Sequence, residues 1–381
     1  MNTIVKGAKI GKDAVNSLLH TIFQERTRAV IHPFKIPEEE KKHELPFHLQ
    51  IFSYNNETLE DAEYSEVEPC LTYRDKNAIT WLNLDSFHTQ EMEQLAEHYG
   101  IHPLIQEDIM SYGQRPKMDE VNEILFVLLN MLFYNDETKN IEQEQISIVL
   151  GKNFIISIQE DALRDVFNPI RIKLKNKQSK IRQSQTDYLF YTMIDIIVDS
   201  YFHVIEKIGD RIEKAEEELL TQKGKRAFNH INLIRKDLIL LKRNTTPVRD
   251  LIASILRSDS DLLEDNTTKY YKDVYDHIMQ ANDLVDNYRD LVNTLQDMYF
   301  NNVNLKMNEV MKTLAIVTTF MAPATVIGGI FGMNFDIIPY AHHRWGFYAT
   351  VAFMFMVPIT MIWWFSRRGW FTNEDPYYKQ K

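Results

Sequence analysis

The chain has 381 residues and one cysteine, Cys70, so no disulfide framework exists within it. A buried, structural thiol is the reading for that residue. Basic residues are outnumbered, with 43 Lys and Arg against 54 Asp and Glu and a formal charge of −11. That balance argues against nucleic acid as a partner, which needs a basic footprint, and it suits a protein that handles cations. No glycine-rich phosphate loop occurs, and no Ser-His-Asp or Glu-x-x-His arrangement stands out. His20, His32, His43, His48, His88, His98, His203 and His230 form no ligand-spaced cluster. The chain is therefore not read as an enzyme, and no organic cofactor is expected. Residues 1–34 have no long apolar core of the kind a signal peptide carries, so the polar body is expected in the cytosol.

Near the C-terminus it is charge that is missing. Thr313 to Phe335 carries none, nor does Trp345 to Ser366. Each stretch is long enough to cross a bilayer core of about 30 Å, which takes about 20 helical residues. Only Asp336 to Arg344 joins them, so a membrane hairpin is expected. Lys306 and Lys312 precede the first span and Arg367 and Arg368 follow the second, which puts both flanks, and both termini, on the cytoplasmic side. Trp345, Trp363, Trp364 and Trp370 mark interfacial belts. The expected location is the cell membrane, multi-pass, with lipid around the hairpin.

The remaining sequence divides by periodicity. Residues 1–45 form a lead-in broken by Pro33 and Pro37. Residues 46–265 are a cytosolic α/β domain with a helical extension. His48 to Tyr54 and Ala78 to Leu84 alternate as half-buried strands do, and Thr89 to His98 reads as a helix ended by Gly100. Ile124 to Tyr134 is apolar and long for one strand, and Gly151-Lys152-Asn153 turns a hairpin between Gln145 to Leu150 and Phe154 to Gln159. Helical spacing takes over after Ala162, with a turn at Gln222-Lys223-Gly224 and a looser break at Ser258 to Asp265. From about Thr267 no Gly or Pro intervenes until Pro323. A stalk helix over 266–312 therefore continues into the first span, 313–335; a loop over 336–344, the second span 345–366 and a basic tail 367–381 complete the chain. One such rod is on the order of 100 Å long. The fold class is α+β membrane protein: a cytosolic α/β/α domain, a long stalk helix and two C-terminal transmembrane helices.

One face of the rod is polar. Asp297, Asn301, Asn304, Asn308, Met311, Leu314 or Ala315, Thr318, Ala322, Thr325, Gly329 and Gly332 succeed one another by threes and fours. Two readings stand. Small and hydroxyl residues let membrane helices pack closely; alternatively, the face lines a pore, which needs a symmetric ring of chains because two helices cannot enclose one.

The first span ends in Gly332-Met333-Asn334-Phe335, before a short loop and a last span. Here the chain resembles the CorA family of magnesium, cobalt and nickel transport proteins. The similarity runs from about His102 to Trp370 and includes Glu107-Asp108-Ile109, Gln114-Arg115-Pro116-Lys117, Asp273-Val274-Tyr275-Asp276-His277, Asn308-Glu309-Val310-Met311-Lys312 and Arg367-Arg368-Gly369-Trp370. The resemblance implies a homopentameric funnel and a divalent-cation channel driven by the membrane potential. It implies Mg2+ as both transported and regulatory ion, with Co2+ and Ni2+ also carried. Gly332, Met333 and Asn334 would form the selectivity filter. Thr325, Asn308, Asn304 and Asp297 would line the pore, with Met311 and Leu314 as apolar gate rings. Asp108 and Asp273 would hold regulatory metal between neighbouring subunits. The outer loop departs from the family form: Ile337-Ile338-Pro339-Tyr340 stands where many members have an acidic residue soon after Met-Pro, and Asp336 is its only acid. His342 and His343 keep softer metals open, so a zinc transporter of the same superfamily is the nearer alternative. A membrane-anchored stalked sensor or scaffold is the alternative from another class.

Overall fold

The computed structural model describes residues 47–74, 78–86, 88–111, 113–159, 164–221, 224–333 and 343–368. The lead-in, most of the outer loop and the tail beyond residue 368 lie outside them. The chain divides into two compact units, residues 1–296 and 297–381.

In the first unit, β1 (His48–Tyr54), β2 (Leu59–Tyr64), α1 (Glu68–Leu71), β3 (Ile79–Ser86), α2 (Thr89–Tyr99), α3 (Pro103–Met110), β4 (Lys117–Val121), β5 (Ile124–Asn135), β6 (Asn140–Leu150) and β7 (Phe154–Ile158) follow in order. The strands form one sheet in the order β2-β1-β3-β7-β6-β5-β4, and only the β3–β7 pairing is parallel. Then come α4 (Asn168–Lys175), α5 (Lys180–Gln183), α6 (Thr186–Leu220), α7 (Gly224–Ile255) and the start of α8 (Asp265–Phe331). The second unit holds the rest of α8 and α9 (Gly346–Arg367).

Both faces of the sheet are covered. Phe126 and Leu128 of β5 join Leu82, Val149 and Ile156 on one face, under Met92, Leu95 and Tyr99 of α2 and Ile105 and Ile109 of α3. The alternate β5 residues, Val127 and Leu129, point to the other face, against which α6 packs. Tyr201 of α6 donates its hydroxyl to the Asn130 carbonyl of β5 at 2.6 Å. Double coverage explains the near-continuous apolar run of β5, interrupted by Asn130, because a strand buried on both sides has no polar face to alternate. Cys70 is fully buried, its thiol donating to the Glu66 carbonyl at 3.4 Å. Burial, then the Glu68 carboxylate, pushes its pKa up to about 12, so it stays a protonated, structural thiol.

Two turns need glycine for different reasons. Gly100 ends α2 in the left-handed region, φ 74°, where its amide reaches back to the Ala96 carbonyl. Gly151 opens the β6–β7 hairpin, and a Cβ there would sit 2.2 Å from the Phe154 ring. The two edge strands, β2 and β4, carry the sequences LEDAEY and KMDEV and gave no alternating signal. They are partly exposed, and charge on an edge guards it against further pairing. Helix α3 also escaped the periodicity reading; Pro103 opens it, and His102 Nδ1 accepts the Leu104 amide at 3.2 Å.

Three helices are long and apolar enough to cross a membrane by composition: α6, α8 and α9. Burial separates them. The most apolar window of α6 is 56% buried against its own domain, whereas those of α8 and α9 have no buried residue. Helix α6 is a core helix, and the most apolar windows of the other two stay uncovered among the described residues. The predicted turn between α6 and α7 includes Gln222 and Lys223, which lie outside the described residues; α6 ends at Leu220 and α7 begins at Gly224.

Candidate ion pathway and metal centre

Within the second unit, the end of α8 lies beside α9. Phe320 and Phe365 lie 6.1 Å apart by ring centroid, and a Cβ on Gly328 would be 3.9 Å from the Met354 methyl. Nine residues, two and a half helical turns, separate Met311 from Phe320, so Met311 points to the side away from α9. The polar stripe follows Met311. Asp297, Asn301, Asn304, Asn308, Leu314 and Thr325 are all exposed, with Met311 at 61% and Leu314 at 63%. The hydroxyls of Thr318 and Thr325 donate back to the Leu314 and Met321 carbonyls, each at 3.0 Å. A threonine can thus lie in an apolar medium while its oxygen still accepts from water. At the other end of the hairpin, Arg367 lies 4.3 Å from the Trp363 ring centroid and Arg368 4.6 Å from that of Trp364. Such cation–aromatic pairs suit an interface between apolar and aqueous phases.

Helix α8 ends at Phe331. The Gly332 amide donates to the Gly328 carbonyl at 2.9 Å and the Met333 amide to the Ile330 carbonyl at 3.3 Å. Gly332 lies in the turn that follows α8, with φ outside the left-handed region. Its lack of a side chain matters because a Cβ would stand 3.1 Å from the Gly328 carbonyl. Met333 is exposed. Asn334, Phe335, Asp336 and His342 lie outside the described residues. His343 is placed, and its Nδ1 accepts the Trp345 amide at 3.3 Å. That ring nitrogen serves the entry into α9.

The two predicted regulatory carboxylates have different surroundings. Asp108, at the end of α3, is half-buried and bonded by Lys117 Nζ and, at 2.9 Å, by Gln114 Nε2. Asp273 is exposed on α8. Among the described residues no hydrogen bond or ion pair joins Asp108 to Asp273.

Asp273 instead borders a group absent from the sequence reading. Ligand atoms of Asp195 and Asp199 on α6 and His277 on α8 all lie within 4.8 Å of one another. His277 Nδ1 is 3.7 Å from Asp199 Oδ1, and Tyr191 donates its hydroxyl to Asp195 Oδ2 at 3.4 Å. Asp195 Oδ1 and His277 Nδ1 are buried with no hydrogen-bond partner among the described residues. Burial raises the pKa of Asp195, the Asp199 carboxylate raises it further, and Asp273 adds to the shift; His277 and the Tyr191 hydrogen bond oppose it. A half-buried carboxylate pressed by its own kind, beside an imidazole nitrogen with no hydrogen bond among the described residues, is relieved by a divalent cation. The donor set fits one. Two carboxylates and an imidazole suit cobalt, nickel or zinc better than magnesium, which prefers oxygen ligands and retains water. The signal was in the sequence: Asp195 and Asp199 are four apart, as are Asp273 and His277, so each pair shares a helix face.

A family model described as CorA-like Mg2+ transporter protein matches residues 76–368. The chain is 36% identical over 330 residues to the cobalt/magnesium transport protein CorA of Thermotoga maritima, covering 86% of this chain and 94% of that one. It is 21% identical over 310 residues to the zinc transport protein ZntB of Yersinia pseudotuberculosis, covering 81% and 90%. Among solved structures, the CorA magnesium transporter of Methanocaldococcus jannaschii superposes with a TM-score of 0.72 at 21% identity, covering 84% of this chain and 98% of that one.

Proposed function

We propose, from the fact that this chain belongs to the CorA-like Mg2+ transporter family, that five copies form a potential-driven magnesium channel that also passes cobalt and nickel. The observation that carries this reading is the exposed face of α8 bearing Asn301, Asn304 and Asn308, on the side of Met311 opposite Phe320, with Thr325 exposed further along. Five such faces around one axis enclose a wet path. Magnesium sheds its water reluctantly. A ring of neutral Asn334 amides at the outer mouth hydrogen-bonds the ion's water shell, and it selects a hydrated divalent ion without holding it too tightly to leave. Asn308, Asn304 and Asp297 continue the oxygen-lined path toward the cytosol. The family assignment and the apolar helices support a membrane location, and the Lys and Arg flanks support reading both termini as cytoplasmic.

Met311 and Leu314 supply apolar rings, and a narrow apolar ring closes a pore by dewetting. Met311→Ala and Leu314→Ala are expected to leave a leak, read as magnesium entry that persists at an internal magnesium level that shuts the native protein. Unchanged closure in both variants would remove these residues from the gate.

Transport in this reading needs no nucleotide. A doubly charged ion crossing 100 mV gains roughly 4.6 kcal/mol, twice the single-charge value, so uptake is expected to follow the imposed potential. Uptake that still requires ATP with the potential clamped would contradict this.

Asp108 of one copy and Asp273 of its neighbour hold a regulatory divalent ion, beside the Asp195, Asp199 and His277 group. The imidazole of that group favours a second reading, transport or sensing of zinc. Competition of unlabelled magnesium, cobalt, nickel and zinc against radioactive nickel uptake in cells separates the two. Magnesium as an effective competitor is expected; competition by zinc alone would transfer the chain to the zinc branch.

A further inference from the structure

Away from the acidic group, an open groove of about 830 Å³ lies between the start of β4, α7 and Arg289 of α8. Small-molecule sites span about 300–1,000 Å³, so the groove is large enough for a metabolite. Pro116, Met118 and Leu251 give it an apolar side. Arg115, Lys117, Lys242, Arg243 and Arg289 line it with positive charge, against the one carboxylate of Asp250. In a chain of net charge −11 this is a local reversal of sign.

The cations are not equivalent. Lys117 is paired with Asp108 and Asp119, Lys242 with Asp286 at 2.7 Å, and Arg289 approaches Asp286 at 4.0 Å. Arg115 and Arg243 are exposed, and neither has a hydrogen bond or ion pair among the described residues. Two guanidinium groups lining one groove, neither with an ion pair of its own among the described residues, favour an anion. Their planar forks match phosphate oxygens in pairs, which a lysine cannot do.

We propose that this groove binds a small oligophosphate anion, with the phosphates on Arg115 and Arg243. For a nucleoside di- or triphosphate, the base lies against Pro116, Met118 and Leu251. Lys117 belongs both to the groove and to Asp108. An anion that draws the Lys117 ammonium inward takes the counter-charge from Asp108 and so alters its readiness for metal. That consequence rests on the regulatory reading of Asp108; the binding itself does not.

The test is calorimetric titration of the full chain in lipid nanodiscs with EDTA present, so that phosphates act as ligands and not as chelators. ATP, pyrophosphate and adenosine are titrated separately into the native protein, R115A/R243A and R115K/R243K. Saturable ATP binding is expected, weakened about tenfold or more in the alanine variant and by less in the lysine variant, which keeps charge without the fork. Pyrophosphate binding as tight as that of ATP supports the proposal with an inorganic oligophosphate as ligand; tighter ATP supports it with a nucleotide. Both arginines are exposed, so the native unfolding temperature is expected in both variants. Should the alanine variant not fold, the lysine variant decides. Native ATP affinity in the folded variants, adenosine binding equal to that of ATP, or no saturable binding at millimolar ATP overturns the proposal.

Discussion

Asn334→Ala is expected to abolish divalent-cation uptake while the assembled oligomer survives. The loss is expected to exceed about 100-fold, equivalent to about 2.7 kcal/mol, because every subunit loses its contact with the ion's water shell at once. A methyl group offers no oxygen and no N–H, so a hydrated ion at the mouth exchanges bulk water for an apolar ring. An alternative role for Asn334 is simply to end the helix, since Asn and Gly both serve there. Asn334→Gly distinguishes the two, because glycine ends a helix at least as well but carries no amide side chain. Ion flux is measured beside native mass in the same preparation. Full uptake in either variant would refute the filter assignment, and loss of the oligomer in both would assign Asn334 to assembly.

Replacement of both Asp108 and Asp273 by alanine is expected to remove inhibition by internal magnesium. Carboxylates facing one another across a subunit boundary repel, and a divalent ion between them turns repulsion into attraction. As internal magnesium falls the sites empty, the ring loosens and the pore widens. Asp108 meets Lys117 and Gln114 within its own chain, so the metal competes with an ammonium for this carboxylate. That competition keeps the site weak enough to empty, as a sensor requires. The internal magnesium giving half-maximal inhibition is expected to rise by about tenfold or more, roughly 1.4 kcal/mol of lost coupling. The readout is uptake into vesicles preloaded with graded magnesium. An unshifted inhibition curve would remove both carboxylates from the sensor.

The sequence was most legible where one physical demand dominated. His48–Tyr54 read as a strand to its ends, because its first half alternates between half-buried and buried positions before both faces become covered. Gly100 and Gly151 marked the end of α2 and the β6–β7 turn, since few other residues suit a left-handed cap or a backbone crowded by Phe154. The long course of α8 was legible from the absence of glycine and proline between Thr267 and Pro323, and the helix begins at Asp265, one residue before the expected start at 266. The edge strands β2 and β4 were not, because their charges guard an edge and leave little apolar rhythm. The group of Asp195, Asp199 and His277 was hidden for another reason. Its two aspartates on α6 lie at least 78 positions from the histidine on α8, and only the packing of α8 on α6 brings them together. Spacing within one helix showed two pairs that share faces; it did not show that the faces meet.

The central claim is that copies of this chain form a water-filled path for a hydrated divalent ion. The direct measurement uses the purified chain in liposomes loaded with a magnesium-sensitive dye, under an imposed inside-negative potential. The account predicts a dye signal that grows with the potential and disappears in Asn334→Ala. A membrane-anchored sensor or scaffold would give none. Intact assemblies in the liposome membrane that pass no magnesium at any potential, with the internal medium free of magnesium at the start, would contradict it.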